Sequence, residues 1–204
     1  MTETSTETST ETNSLTGALR AFDPAVRPPV LAGADVSYVV EDLEVGRLLL
    51  AARRDGTLLS SAFTPTDADA DAFLDRLARR VSPGVLRGGP ALDDVRRQLD
   101  EYLAGRRRSF EVATDTVLAT PFQRTVLNRL ARDVGYGTTT SYGALATAIG
   151  RPTASRAVGA ALGANPLCIV LPCHRVVAAS GALTGYAGGV EAKRRLLALE
   201  AAAA

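Results

Sequence analysis

Histidine occurs once in this 204-residue chain, cysteine twice, methionine once and tryptophan never. With one His and two Cys, a four-ligand Cys/His zinc site cannot form within a single chain. Cys168 and Cys173 lie five residues apart in one segment and offer no disulfide framework. No apolar run approaches the roughly 18–20 residues of a membrane span. The opening MTETSTETSTETNS lacks the basic start and apolar stretch of a signal peptide. The expectation is a cytoplasmic protein without metal, membrane or disulfide. The same opening repeats Thr, Glu and Ser with nothing to bury, which predicts a disordered tail over residues 1–15.

What is present is apolar. Hydrophobic residues make up 46% of the chain, enough for a sizeable core. The net charge of +1 conceals an asymmetry. Residues 117–204 carry nine Lys/Arg against three acids, a net +6, so the remainder stands at −5. Basic character concentrated in one half points to a polyanionic partner or to a solvated basic face.

Residues 36–63 read as strands: VSYVV, then VGRLLLAA and TLLSSAF flanking Arg54-Asp55-Gly56, a hairpin turn signal. DADAFLDRLARRV (69–81) has Phe73, Leu74, Leu77 and Val81 at helical spacing. ALDDVRRQLDEYLAG (91–105) is a second amphipathic helix, its stripe being Leu92, Val95, Leu99 and Leu103. RRRSFEVATDTVL reads as a strand and linker. This half is a small α+β unit without a constellation of reactive groups. The C-terminal half reads as helical. Thr120 caps a helix with Pro121 at its first position, closing at Gly135. TTTSYGALATAIG gives a short helix, and RPTASRAVGAALGANP another, capped by Thr153 or Ser155 and stopped at Asn165-Pro166. Two short helices across a tight turn, the second led by an arginine, form a helix-turn-helix pattern. The small face of RAVGAALGA suits either tight helix packing or a narrow surface such as a DNA minor groove. LCIVLPC reads as a buried strand, SGALTGYAGG as a loop and EAKRRLLALEAAAA as a final helix.

The only histidine adjoins one of the two cysteines in LPCHRVV. A thiolate, not a thiol, is the nucleophile, so a reactive Cys needs a base or a positive field nearby. His174 is the only imidazole available. Neighbours on a strand point to opposite faces, so a working pair must lie in a turn or communicate through a water.

The stretch NPLCIVLPCHRVVAASGALTGYAGGVEAKRRLLALE (165–200), with TPFQRTVLNRL, SYGALA and RAVGAALGANP upstream, resembles the O6-alkylguanine-DNA alkyltransferases. These are single-use DNA-repair proteins whose hallmark is Pro-Cys-His-Arg-Val. The match covers roughly residues 119–200. It implies an α+β protein: a small N-terminal α/β domain of ribonuclease-H-like shape (16–112), a linker (113–118) and a helical, winged-helix-like DNA-binding and catalytic domain (119–204). By resemblance Cys173 is the alkyl acceptor, His174 the base acting through a water, and Glu200 the carboxylate orienting it. Asn165 braces the cysteine's turn, and Tyr142 helps rotate the nucleotide and protonates the departing guanine. Arg156 fills the gap left in the stack, with Gln123, Gly143, Arg151, Ala157 and Ala160 on the DNA. Val176, Leu162, Tyr186, Ala187 and Gly188 form the guanine pocket. The implied reaction is irreversible transfer of an alkyl group from O6-alkylguanine in duplex DNA, and by extension O4-alkylthymine, to Cys173. No cofactor is implied. The implied partner is alkylated double-stranded DNA, bound by a monomer, with cooperative assembly on DNA left open.

Two positions depart from that pattern. Asn128 stands where the family often has Trp, and Ala187 where some members have Ser, which removes a hydroxyl contact to the guanine oxygen. A lesion-binding relative that flips bases without repair is disfavoured by Cys173. A helix-turn-helix regulator leaves Cys173, His174 and Glu200 without work. A small-molecule cysteine hydrolase would show turnover rather than self-inactivation.

Overall fold

The computed structural model describes residues 34–203. The tail expected over 1–15, and the first residues of the expected N-terminal domain, lie outside the described residues. Strands β1 (Val36–Leu43), β2 (Gly46–Arg53) and β3 (Leu58–Phe63) form an antiparallel meander. Helix α1 (Asp67–Arg80) follows, then a short β4 (Val85–Arg87) parallel to β1, giving sheet order β3-β2-β1-β4. A 3-10 turn (Pro90–Leu92) leads into α2 (Asp93–Leu103). The C-terminal half holds α3 (Pro121–Asp133), β5 (Thr140–Ser141), α4 (Tyr142–Ala148), α5 (Ser155–Gly163), a 3-10 turn (Cys173–Arg175), β6 (Val176–Val177) and α6 (Gly189–Ala202). β5 and β6 pair in parallel, tying the start of α4 to the chain just past Cys173.

The apolar run of β2 explains its central place. Leu48 to Ala52 are all fully buried, which requires cover on both faces, because alternate residues point to opposite sides. Leu49 and Ala51 pack with Phe73 and Leu77 of α1. Leu48, Leu50 and Ala52 pack with Val95, Leu99 and Tyr102 of α2, and with Leu167, Ile169 and Leu196 from the C-terminal half. One face of the sheet therefore belongs to its own helix, while the other docks the half that holds the Cys-His pair. A third cluster, including Val126, Leu130, Leu145, Val158 and Cys173, lies under the C-terminal helices.

The outer edge of β3 is covered by chain from beyond α2. Ser61 N donates to Pro166 O at 2.9 Å and its hydroxyl to Cys168 O at 2.7 Å, while Leu58 bridges Thr114. Covering this edge removes a row of open backbone groups and fixes the segment leading to Cys173.

Several expectations need correction. RRRSFEVATDTVL makes only the single bridge at Thr114 and no strand of its own. LCIVLPC is buried but folds as a turn, with Cys168 bridged to Leu171 and Ile169 at a φ of 72°. An extended strand there would carry Cys173 past its partners. Neither Thr153 nor Ser155 caps α5, since Ser155 is its first residue and Ala154, without a capping side chain, precedes it. The buried stripe of α2 runs Val95, Gln98, Leu99 and Tyr102, ending on Tyr102 rather than Leu103. At α3 the Thr120/Gln123 capping box forms as the Thr-Pro start implies.

Candidate active site and nucleic-acid interface

Cys173 and His174 occupy consecutive positions of the 3-10 turn, so they escape the opposite-face geometry of a strand. The turn is held by Asn165. Its Nδ2 donates to Leu171 O at 3.0 Å and to Cys173 Sγ at 3.1 Å, and its Oδ1 accepts from Leu167 N at 3.0 Å. One side chain thus braces both limbs of the loop. Ile169 sits at its tip in a left-handed conformation that costs a β-branched residue about 1–3 kcal/mol.

The next two residues of the turn, His174 and Arg175, join a buried charge cluster. Glu200, on α6, is 1% exposed and His174 is fully buried. His174 Nε2 meets Glu200 Oε1 at 2.7 Å. Arg175 Nε lies 2.9 Å from Glu200 Oε2, Gly137 N donates to the same oxygen at 3.1 Å, and the Tyr102 hydroxyl donates to Oε1. Burial alone would push the Glu200 carboxyl up; the hydrogen bonds from His174 and Arg175 instead pull it down to about 2. An ionised Glu200 accepts only, so His174 must carry its proton on Nε2. Its Nδ1, buried without a protein partner, is then a free lone pair. Burial lowers the His174 pKa against the opposing pull of Glu200, which favours the neutral base.

The thiols divide their roles. The Cys168 thiol beside Cys173 lowers the Cys173 pKa against the push of burial. The Asn165 amide and, more weakly, the Lys193 ammonium pull the same way. Cys168 itself is raised well above its ordinary value. Of the two thiols, Cys173 is the one whose surroundings favour the thiolate.

The remaining expected pocket residues surround this centre unevenly. Val176 and Leu162 are buried beside Cys173, Tyr186 is half-buried and Ala187 exposed. The Tyr186 ring stands edge-on to Phe63 at 5.4 Å and to the His174 imidazole at 6.4 Å. Gly188 faces Phe63, and a Cβ there would come within 2.6 Å of the ring. Tyr142 begins α4, with its hydroxyl accepting from Thr184 at 3.1 Å. Lys193 is fully buried; its ammonium donates to Val176 O at 2.6 Å and Thr184 O at 3.1 Å, closing the loop over the pocket.

The expected DNA contacts share a surface. Arg156, Ala157 and Ala160 form the exposed face of α5, opposite buried Val158, Ala161 and Leu162. Arg151 and Gly143 are exposed nearby, and the Arg151 guanidinium lies 5.6 Å from the centre of the Phe122 ring. Gln123 is occupied as a cap, its Oε1 accepting from Thr120 N at 2.7 Å. Most of the basic surplus is spoken for. Arg175 pairs with Glu200, Lys193 caps carbonyls, Arg129 and Arg132 pair with Asp133, and Arg194 and Arg195 with Glu191. Among the described residues, of the nine basic ones in 117–204 only Arg124, Arg151 and Arg156 have neither an acidic partner nor, as Lys193 has, a buried ammonium on carbonyls.

Sequence reasoning missed Tyr102, Arg175 and Lys193. Arg175 was in view beside His174, but nothing local said that it points inward. Lys193 reads as a solvent residue within a Lys-Arg-Arg run. Tyr102 belongs to the half read as holding no constellation of reactive groups, and it reaches the cluster from there as a single side chain.

Fold and site together define an α+β protein with a buried cysteine in the same turn as a buried histidine–carboxylate pair. Residues 121–202 match the family described as the DNA-binding domain of 6-O-methylguanine DNA methyltransferase. The chain is 49% identical over 107 residues to a methylated-DNA–protein-cysteine methyltransferase of Methanosarcina acetivorans, covering 52% of this chain and 67% of that one. It is similar to the crystal structure of Mycobacterium tuberculosis O6-methylguanine methyltransferase, with a TM-score of 0.68 and 37% identity over 83% of this chain and 94% of that one. A structure of the Mycobacterium tuberculosis OGT in complex with DNA matches with the same score and identity, over 82% and 94%. The chain belongs to the methylated-DNA–protein-cysteine methyltransferase family.

Proposed function

We propose that this protein repairs alkylated DNA by direct reversal, taking the alkyl group from O6-alkylguanine, and by extension O4-alkylthymine, onto Cys173. The single observation that carries the residue assignment is the buried His174–Glu200 contact at 2.7 Å, made from the same 3-10 turn as a cysteine whose sulfur is held by Asn165.

The alkyl group on guanine O6 points into the duplex, so the base must leave the stack at a cost of a few kcal/mol. The small, exposed face of α5 enters the minor groove, and Arg156 takes the place of the departed base. Gly143, Arg151 and Gln123 flank this contact. The guanine enters beside Val176, Leu162, Tyr186, Ala187 and Gly188. The Cys173 proton passes through a water to His174 Nδ1, and Glu200 stabilises the imidazolium that forms. The thiolate attacks the alkyl carbon in line with its bond to O6. A sulfur–carbon bond forms, the carbon–oxygen bond breaks, and Tyr142 supplies the proton that lets guanine leave neutral. Tyr142 then recovers a proton from the site. The product thioether has no route to cleavage, so each molecule acts once.

The sheet order β3-β2-β1-β4, with β4 alone parallel to β1, supports a ribonuclease-H-like reading of the N-terminal half. The helical half with its small β5–β6 pair supports a winged-helix-like one. The division at 113–118, a monomeric state and a cytoplasmic location belong to the same proposal. Among the described residues no helix is long and apolar enough to cross a membrane.

Intact-mass spectrometry after incubation with duplex DNA containing O6-methylguanine tests the reaction. The expected result is a gain of one methyl group per protein, mapped to Cys173. Repeated turnover without a mass change would instead indicate a hydrolase.

A further inference from the structure

The phenol of Tyr102 reaches the catalytic cluster from α2, in the half of the chain remote from the Cys-His motif. Its side chain is 1% exposed, and its ring packs against Phe110 at 5.1 Å and Tyr136 at 5.9 Å. The hydroxyl donates to Glu200 Oε1, the same oxygen that His174 Nε2 uses, and lies 3.4 Å from that nitrogen. Arg175 also reaches Oε1, through Nη2 at 3.0 Å.

We propose that Tyr102 is a positioning residue of the relay: by sharing Glu200 Oε1 with His174 it fixes the carboxylate and limits the negative charge the imidazole meets, so that His174 rests neutral with its proton on Nε2. The inference rests on Cys173 being the acceptor and adds a member from the N-terminal half.

The physical reason is competition for one oxygen. A buried carboxylate facing a lone imidazole draws a second proton onto it, and an imidazolium cannot accept the thiol's proton. Donors that neutralise the carboxylate oppose this. Arg175 does so with a full charge, while Tyr102 does so with a dipole on the very oxygen that His174 uses. Burial holds the phenol protonated, so it remains a donor. The groups facing the imidazole are Glu200 and Lys193 from α6, Tyr102 from α2, Cys173 and Arg175 from its own turn, and the Tyr186 ring. Of the donors to Oε1, only Tyr102 can lose its donor while the formal charge of the cluster stays the same.

His174 is the only histidine in the chain, so imidazole nitrogen resonances of the whole protein report one residue. In Tyr102→Phe the His174 titration midpoint should rise. The acid limb of the alkyl-transfer rate should follow it upward, with a loss on the order of tenfold on that limb. A fluorotyrosine placed at position 102 keeps the shape and strengthens the donor, so it should move both the other way; it also serves if Tyr102→Phe does not fold. Phe110→Leu disturbs the ring's packing but leaves the hydroxyl, and should lower melting with the titration unchanged. If Tyr102→Phe and the fluorotyrosine protein both titrate and react like wild type, whatever happens to melting, the hydroxyl is only structural and the proposal fails. If instead wild type never gains an alkyl group, the assigned reaction fails, while the titrations still decide the effect of Tyr102 on His174.

Discussion

Cys173 is 4% exposed, and Cys168 beside it is fully buried, yet only Cys173 shares its turn with the histidine. Cys173→Ser should abolish alkyl transfer and leave DNA binding largely intact, because the hydroxyl keeps the shape and loses the nucleophilicity. Cys168→Ser keeps a donor beside Cys173 and should retain transfer. Peptide mapping of labelled methyl decides the assignment, and label on Cys168 would overturn it. Glu200 sets the acid stability of the same cluster. Its folded carboxyl is held at about 2 against an ordinary 4.5, so its stabilisation is fully present above about 4.5 and lost as pH falls toward 2. That contribution is about 3 kcal/mol. His174 acts in the same direction at higher pH. Its folded pKa lies below the ordinary 6.5, so below 6.5 the unfolded chain takes up a proton that the folded one refuses. Melting temperature should therefore begin to fall below about pH 6.5 and fall further below pH 4.5. Glu200→Gln should remove the lower step, and a curve identical to wild type there would contradict the cluster.

At the scale of elements, α5 is held by few large side chains. Val158, Ala161 and Leu162 are its buried residues, and no side chain caps its start. Its exposed face carries small residues and one unpaired arginine, a poor recipe for core packing and a good one for close approach to another surface. Arg156→Ala should slow repair of duplex DNA much more than reaction with free O6-benzylguanine, because only the duplex requires the base to be flipped. Comparing second-order rates on the two substrates measures this, and equal losses would remove the wedge role. By contrast α3 is pinned by its capping box. Thr120→Ala should cost about 1 kcal/mol of stability, read by denaturant midpoint, with the transfer chemistry unchanged.

At the scale of the molecule, the sheet and the reactive loop meet at Phe63. The last residue of β3 lies between Gly46 and Gly188, where added Cβ atoms would stand 3.2 Å and 2.6 Å from its ring. The ring is fixed from one side by β2 and from another by Tyr186, so it has little room to yield. Gly188→Ala should displace the pocket loop and slow transfer to both duplex and free-base substrates. Adding Phe63→Leu should restore part of the rate. If the single substitution leaves both rates unaltered, the close approach is not limiting.

The C-terminal helices were legible because Thr120-Pro121, Ser141 and Asn165-Pro166 are local punctuation that acts within a turn of its own position. The β2 run and the Arg54-Asp55-Gly56 turn were legible for the same reason. The cluster around Cys173 was legible only in part. Cys173, His174, Asn165 and Glu200 were identifiable through a family resemblance in one contiguous segment. Whether LCIVLPC would extend or turn was not, because an apolar run fits either and only the edge of β3 and the Asn165 clasp decide. Tyr102 and Lys193 were out of reach for a related reason. One looks like any aromatic on an amphipathic stripe, the other like any surface lysine, and each acquires its role from groups outside its own helix. The sequence by itself determined the main helices and the β1–β3 strands and which residues could react, since those follow from local backbone preference and side-chain chemistry. Which donors share the carboxylate, which cations of the C-terminal half stay without an acidic partner and which segments pack against the site were decided only by the tertiary structure, because burial and hydrogen-bond competition exist only once distant segments are packed together.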